Sequence, residues 1–151
     1  MIMRRDARGR AWETYFVTTA RLTNAIEAAL KAECHVTQPE YNVLLQVARA
    51  GDEGIRPSAL AHEVVFSPSR LTHTVNRLVS RGYVERTTCV GDGRGGLILM
   101  TDAGKKFFEK AADVHREVVR EIVLNDLSVE EITVLNEVFG RIARRIDDHM
   151  A

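Results

Sequence analysis

PSALAHEVVFSPSRLTHTVNRLVSRGYVERTTCVGDGRGGLILMT, residues 57–101, is the stretch whose order of elements decides the fold. Pro57 suits a first helical turn, and Leu60, Ala61 and Val64 then face one side of a short helix ending at Val64. Ser67 is a good helix cap, Pro68 suits the position after it and Gly82 suits a left-handed residue past the end, so a second helix is predicted over 68–81. Leu71, Val75 and Leu78 form its apolar stripe. Ser69, Arg70, His73, Asn76, Arg77 and Ser80 fall on the opposite face, where their side chains can reach base edges and phosphates. Residues 83–88 alternate in the manner of a strand, residues 97–100 can pair with them, and Gly91 to Gly96 makes a glycine-rich tip between the two. Helix, helix and hairpin in this order read as a winged helix-turn-helix.

Outward from this stretch the chain is helical. Residues 11–32 hold no Gly or Pro, and Trp12, Tyr15, Phe16, Leu22, Ile26, Ala29 and Leu30 recur near the 3.6-residue period of a long amphipathic helix. Thr37 and Glu40 form a capping box for the next helix, which carries Tyr41, Val43, Leu44, Leu45 and Val47 and ends at Gly51. Beyond the hairpin, Thr101-Asp102 opens a helix with Phe107, Ala111, Val114, Val118 and Ile122. Ser128, boxed with Glu131, opens another with Ile132, Leu135, Phe139, Ile142 and Ile146, the spacing of a helix that packs lengthwise on a partner. The three middle helices already supply a core for the hairpin, which leaves the terminal helices short of neighbours in one chain. The expected fold class is therefore mainly α with a small β-hairpin wing. A winged helix-turn-helix at 37–101 is flanked by a helical dimerisation region at 1–36 and 102–151, and two copies form a homodimer.

The 151 residues suit one domain with a helical extension, and 45% hydrophobic with 28% charged residues is the composition of a folded chain. No apolar run approaches the roughly 18 residues of a membrane span, and the Arg-rich N-terminus lacks the apolar core of a secretion signal. Cys34 and Cys89 are too few for a disulfide framework, so the cytoplasm is the expected compartment. The formal net charge is zero, yet the charge is segregated. Residues 55–100 carry Arg56, Arg70, Arg77, Arg81, Arg86 and Arg94 against Glu63, Glu85 and Asp92, while 101–151 hold an acidic excess. A local positive patch of this kind attracts phosphates, which points to double-stranded DNA as partner. No phosphate-binding glycine loop, Gly-x-Ser-x-Gly elbow or His-Glu-x-x-His pair occurs, and neither an enzyme nor a cofactor is expected.

Leu60-Ala61, Ser67-Pro68-Ser69-Arg70-Leu71-Thr72, Arg77-Leu78, Arg81-Gly82-Tyr83-Val84-Glu85-Arg86, Asp92-Gly93-Arg94 and Met100-Thr101-Asp102-Ala103-Gly104 follow one another at workable spacing. Their succession resembles the MarR family of bacterial winged-helix transcriptional regulators, over nearly the whole chain. The resemblance implies a ligand-responsive dimeric repressor, with residues 68–81 in the major groove of a pseudo-palindromic operator and the wing in the minor groove. The residues it marks for DNA contact are Ser67, Pro68, Ser69, Arg70, Thr72, His73, Asn76, Arg77, Arg86, Asp92 and Arg94. It also implies a pocket for a small aromatic or phenolic effector, with Trp12, Tyr15, Phe16, Tyr41 and Phe107 as candidate lining. Two departures stand out: Val65 replaces a frequent Gly before the recognition helix, and Gly93, Gly95 and Gly96 replace basic or aliphatic wing residues, from which a more mobile wing is expected.

Bland alternatives accompany these assignments. A polar helix face is often only solvated, an aromatic stripe is often only core, and Arg77 can instead form an intramolecular ion pair that braces the wing. Cys34 is a redox switch only if exposed and acidified, and is otherwise a small buried side chain; Cys89 is read as incidental. Cys34, His35, Glu40 and His115 are metal-type residues without a tight ligand spacing, so no metal is assigned. A metal- or redox-responsive regulator of the same fold, or a winged-helix protein-interaction module, are the alternative readings.

Overall fold

A computed structural model describes residues 6–88 and 96–150. In chain order the elements are α1 (Ala7–Cys34), α2 (Gln38–Ala50), a 3-10 turn (Gly51–Glu53), α3 (Pro57–Val64), α4 (Pro68–Ser80), β1 (Val84–Arg86), β2 (Ile98–Met100), α5 (Asp102–Val119), a π-helical segment (Arg120–Leu124) and α6 (Val129–Met150). The chain divides into two compact units, Met1–Val118 and Val119–Ala151.

The caps legible in the sequence set the helix starts. Thr37 Oγ1 accepts from the Glu40 amide at 3.3 Å and the Glu40 carboxylate accepts from the Thr37 amide at 2.8 Å. Ser67 Oγ accepts from the Arg70 amide to begin α4, with Pro68 in its first turn. Ser128 and Glu131 exchange the same pair of bonds before α6. Gly82, at φ 76°, turns the chain out of α4 and into β1.

The hairpin is antiparallel, with Val84 opposite Met100, Glu85 opposite Leu99 and Arg86 opposite Ile98. It gains a third member absent from the sequence expectation, because Ile55 exchanges both backbone hydrogen bonds with Ile98, at 3.0 and 2.9 Å. A single paired residue between Gly54 and Pro57 is too short for an alternation pattern to show it. Val43, Leu44, Val47, Leu60, Ala61, Leu71, Val75, Leu78, Val84, Ile98 and Met100 form one core that ties α2, α3 and α4 to the hairpin. Each fully buried aliphatic side chain there contributes about 1.5–3 kcal/mol relative to exposure. Gly104 lets α5 start hard against this unit: a Cβ would run into the Tyr83 carbonyl and lie 2.8 Å from the Met100 sulfur.

α1 is buried only near its C-terminal end, through Ile26, Leu30 and Cys34, while Trp12, Tyr15, Phe16 and Val17 are exposed. In the second unit α6 buries no residue at all, although Ile132, Leu135, Phe139, Ile142 and Ile146 line its apolar side. The α-helical part of the fifth helix stops at Val119, so Ile122 lies in the π segment and not on the continuous helix read from the sequence. No helix among the described residues is long and apolar enough to cross a membrane.

Candidate nucleic-acid interface

The face of α4 opposite its core stripe is open. Ser67, Pro68, Ser69, Arg70, Thr72, His73, Asn76 and Arg77 are all exposed, while Leu71, Thr74, Val75 and Leu78 point inward. Thr74 is tolerated inside because its hydroxyl donates to the Arg70 carbonyl at 2.9 Å, and Thr72 donates to the Pro68 carbonyl in the same way. Helical geometry places Ser69, Thr72, His73, Asn76 and Ser80 in a central stripe, with Arg70 and Arg77 one row to the side. The exposed groups are short donors and acceptors flanked by guanidinium groups, a set able to meet base edges in the centre and phosphates at the margin.

The arginines are not equally free. Arg70 lies over the Phe66 ring, 4.2 Å from its centre, which steers the guanidinium along the start of α4 while leaving its edge exposed. Arg77 Nε sits 3.0 Å from Oε1 of Glu40, a carboxylate only 2% exposed that also caps α2. The contact is an ion pair without the alignment of a hydrogen bond. Arg77 therefore takes the bracing role, and the brace runs to α2, not to the wing. Arg81 turns inward as well: Nη1 donates to the His35 carbonyl at 2.8 Å and the guanidinium lies over the Tyr83 and Phe107 rings. Arg86 Nη1 donates to Oδ1 of Asn76 at 2.6 Å, joining β1 to the exposed stripe of α4. The positive middle segment is thus partly spent on positioning the helix. Asp92, Arg94 and Cys89, with the expected wing mobility, lie outside the described residues.

Glu40 and Arg81 are the positioning residues that sequence reasoning missed. Glu40 was legible as a cap, but nothing in its neighbours showed the burial that makes a partner necessary. Arg81 is one of six arginines in the segment and carries no local mark of facing inward.

The five candidate effector residues fall in three places. Trp12, Tyr15 and Phe16 make an exposed cluster on α1, with ring centres 5.7–5.9 Å from Trp12. Tyr41 stacks between Phe108, at 5.9 Å, and His115, at 4.6 Å. Phe107 stacks on Tyr83 at 4.0 Å. They do not line one pocket within a single chain. Cys34 is buried, and burial pushes its thiol above the ordinary range, the opposite of a reactive thiolate. Among the described residues no three His, Cys, Asp or Glu side chains gather as metal ligands.

A hairpin beside a helix with an open, hydrogen-bonding face and flanking arginines defines a winged-helix DNA-binding protein, and comparison with known proteins makes it a transcriptional regulator. The MarR family sequence profile matches residues 36–95. The chain is 29% identical over 133 residues to the HTH-type transcriptional regulator PecS of Dickeya dadantii (strain 3937), a span of 85% of this chain and 80% of that one. Among solved structures it is similar to Sco3205 of Streptomyces coelicolor, a MarR family regulator in complex with DNA, with TM-score 0.87, 27% identity and coverage of 93% and 92% of the two chains. AbsC, a MarR family regulator of the same organism, superposes with TM-score 0.88 at 28% identity over 98% and 99%. Over residues 36–95 by sequence profile, and over nearly its whole length by fold, the chain is similar to MarR family transcriptional regulators.

Proposed function

We propose that this protein is a homodimeric, ligand-responsive repressor that lays α4 in the major groove of each half of a pseudo-palindromic operator. The observation that carries the reading is the open stripe of Ser69, Thr72, His73, Asn76 and Ser80 on a helix capped by Ser67, braced at Arg77 and packed through Leu71, Val75 and Leu78. Ser67 and Pro68 begin that helix where its amides meet the DNA backbone. Arg70 flanks the stripe toward phosphate, and Asp92 and Arg94 serve the wing in the minor groove. In this reading residues 37–101 hold the DNA, and 1–36 with 102–151 hold the second copy.

The exposed apolar residues of α1 and α6 support dimerisation, since a chain that leaves Trp12, Phe16, Phe139 and Ile142 in water gains by covering them. An effector acts by preferring one spacing of the two recognition helices, and shifts DNA affinity by no more than its differential affinity for the two states. Its site draws on surfaces of both copies, because the single chain does not bring the candidate aromatics together.

Retention on immobilised random duplex at low salt, with elution as salt rises, tests the reading. Arg70→Ala is expected to elute earlier and His73→Ala to elute close to wild type. A chain that passes through unretained is a protein-interaction module instead.

A further inference from the structure

A guanidinium has only N–H donors, so the Asn76 atom 2.6 Å from Arg86 Nη1 must be the carbonyl oxygen, and chemistry settles which way the amide points. The strand that holds Arg86 is itself fixed. Val84 and Met100 are buried opposite one another, Arg86 lies opposite Ile98, and the next amide, of Thr87, donates to the Leu97 carbonyl at 2.9 Å. The guanidinium therefore projects from a paired backbone onto α4, and the amide's N–H2 end is turned away from β1.

An asparagine free to rotate reads adenine with both ends, Oδ1 accepting from N6 while Nδ2 donates to N7. Asn76 is not free in that sense. Its Oδ1 keeps a second lone pair, but the amide plane cannot turn to meet adenine's paired edge without giving up a charged donor. What remains for the base is a donor-only group, and guanine presents two adjacent acceptors, O6 and N7, in the major groove.

We propose that Arg86 is a positioning residue that locks the Asn76 amide so that its N–H2 group reads guanine, which makes the Arg86–Asn76 pair a specificity element and not a phosphate clamp. The proposal rests on α4 being the recognition helix. In the free protein the pair is exposed and of little energetic weight. Against DNA it is shielded from water, where the same bond is stronger and its orientation matters more.

Selection of sites from a randomised duplex pool tests this, with base frequencies read position by position for wild type, Asn76→Ala, Arg86→Ala, Arg86→Lys and the double alanine variant. Wild type should prefer G·C at one position of each half-site. Asn76→Ala and Arg86→Ala should each lose about tenfold in preference at that same position while other positions hold. The double variant should lose no more than either single one, and Arg86→Lys should recover part of the preference because lysine also donates to Oδ1. Thermal melting of each variant shows that it is folded, and the lysine variant decides the question if the alanine variant is not. An A·T preference at the Asn76 position overturns the proposal. So does an Arg86→Ala variant that weakens all sequences alike and lowers the salt slope by about one, the signature of a phosphate contact. A wild-type chain that enriches no site overturns the recognition-helix reading itself, and does so before any substitution is compared.

Discussion

Val65 holds a left-handed backbone, φ 56° and ψ 46°, at the end of α3, and its side chain is 87% exposed. A β-branched residue there is strained by about 1–2 kcal/mol and recovers nothing through packing. Glycine relieves the strain but loses more chain entropy, so Val65→Gly should stabilise the fold by roughly 0.5–1 kcal/mol, seen as a rise of a few degrees in melting temperature. The frequent Gly of the family pattern at this turn has the same conformational reason. Arg77 makes a second residue-scale case. Its removal leaves the Glu40 carboxylate buried beside two donors from Thr37 but no counter-charge. Because Arg77 is itself 56% exposed, the expected cost of Arg77→Ala is only about 1–2 kcal/mol, below that of a fully buried pair. A melting temperature unchanged by Arg77→Ala, with a salt slope of DNA binding lowered by about one, would return this residue to the phosphate contacts. Single residues were the least legible scale in the sequence. Ser67, His73 and Asn76 face outward as their helical positions imply, whereas the partners of Arg77, Arg81 and Arg86 lie 37, 46 and 10 residues away in the chain, where no local pattern reaches.

Elements were legible because their ends carry chemistry. Thr37 with Glu40, Ser67 with Pro68, Gly82, and Ser128 with Glu131 mark boundaries that the backbone respects. Ile55 was missed because one bridged residue has no period, and the break at Val119 because the apolar spacing continues through it. The packing of α5 on α2 yields a prediction of its own. His115 stacks on Tyr41, and burial lowers its pKa from 6.5. The unfolded chain therefore binds a proton at a pH where the folded one does not, so stability rises with pH across that window. The penalty is absent well above pH 6.5, appears as pH falls through about 6.5, and is complete below the lowered native value. His115→Phe keeps the ring stack and removes the proton site. Melting curves between pH 5 and 8 should show a shallower acid slope for the variant, and parallel slopes would remove His115 from the account.

At the scale of the whole molecule, a winged-helix unit with a finished core sits in a chain whose terminal helices leave large apolar side chains in water. The fold class was readable because the core stripe of every middle helix follows a simple period. The candidate effector residues were not, because Trp12, Tyr41 and Phe107 fall in three separate places that no local pattern relates. Two copies related by a two-fold axis present two α4 helices to half-sites about one helical turn apart, so dimerisation and operator symmetry are one claim. Fluorescence anisotropy on a duplex carrying the full selected inverted repeat, beside one with a single half-site and a scrambled one, tests it from 50 to 200 mM salt. The account predicts tight binding to the full repeat, far weaker binding to the half-site and the scrambled duplex, and affinity for the full repeat that falls linearly in log–log form as salt rises. Equal affinity for all three duplexes, or no binding at the lowest salt, would contradict it.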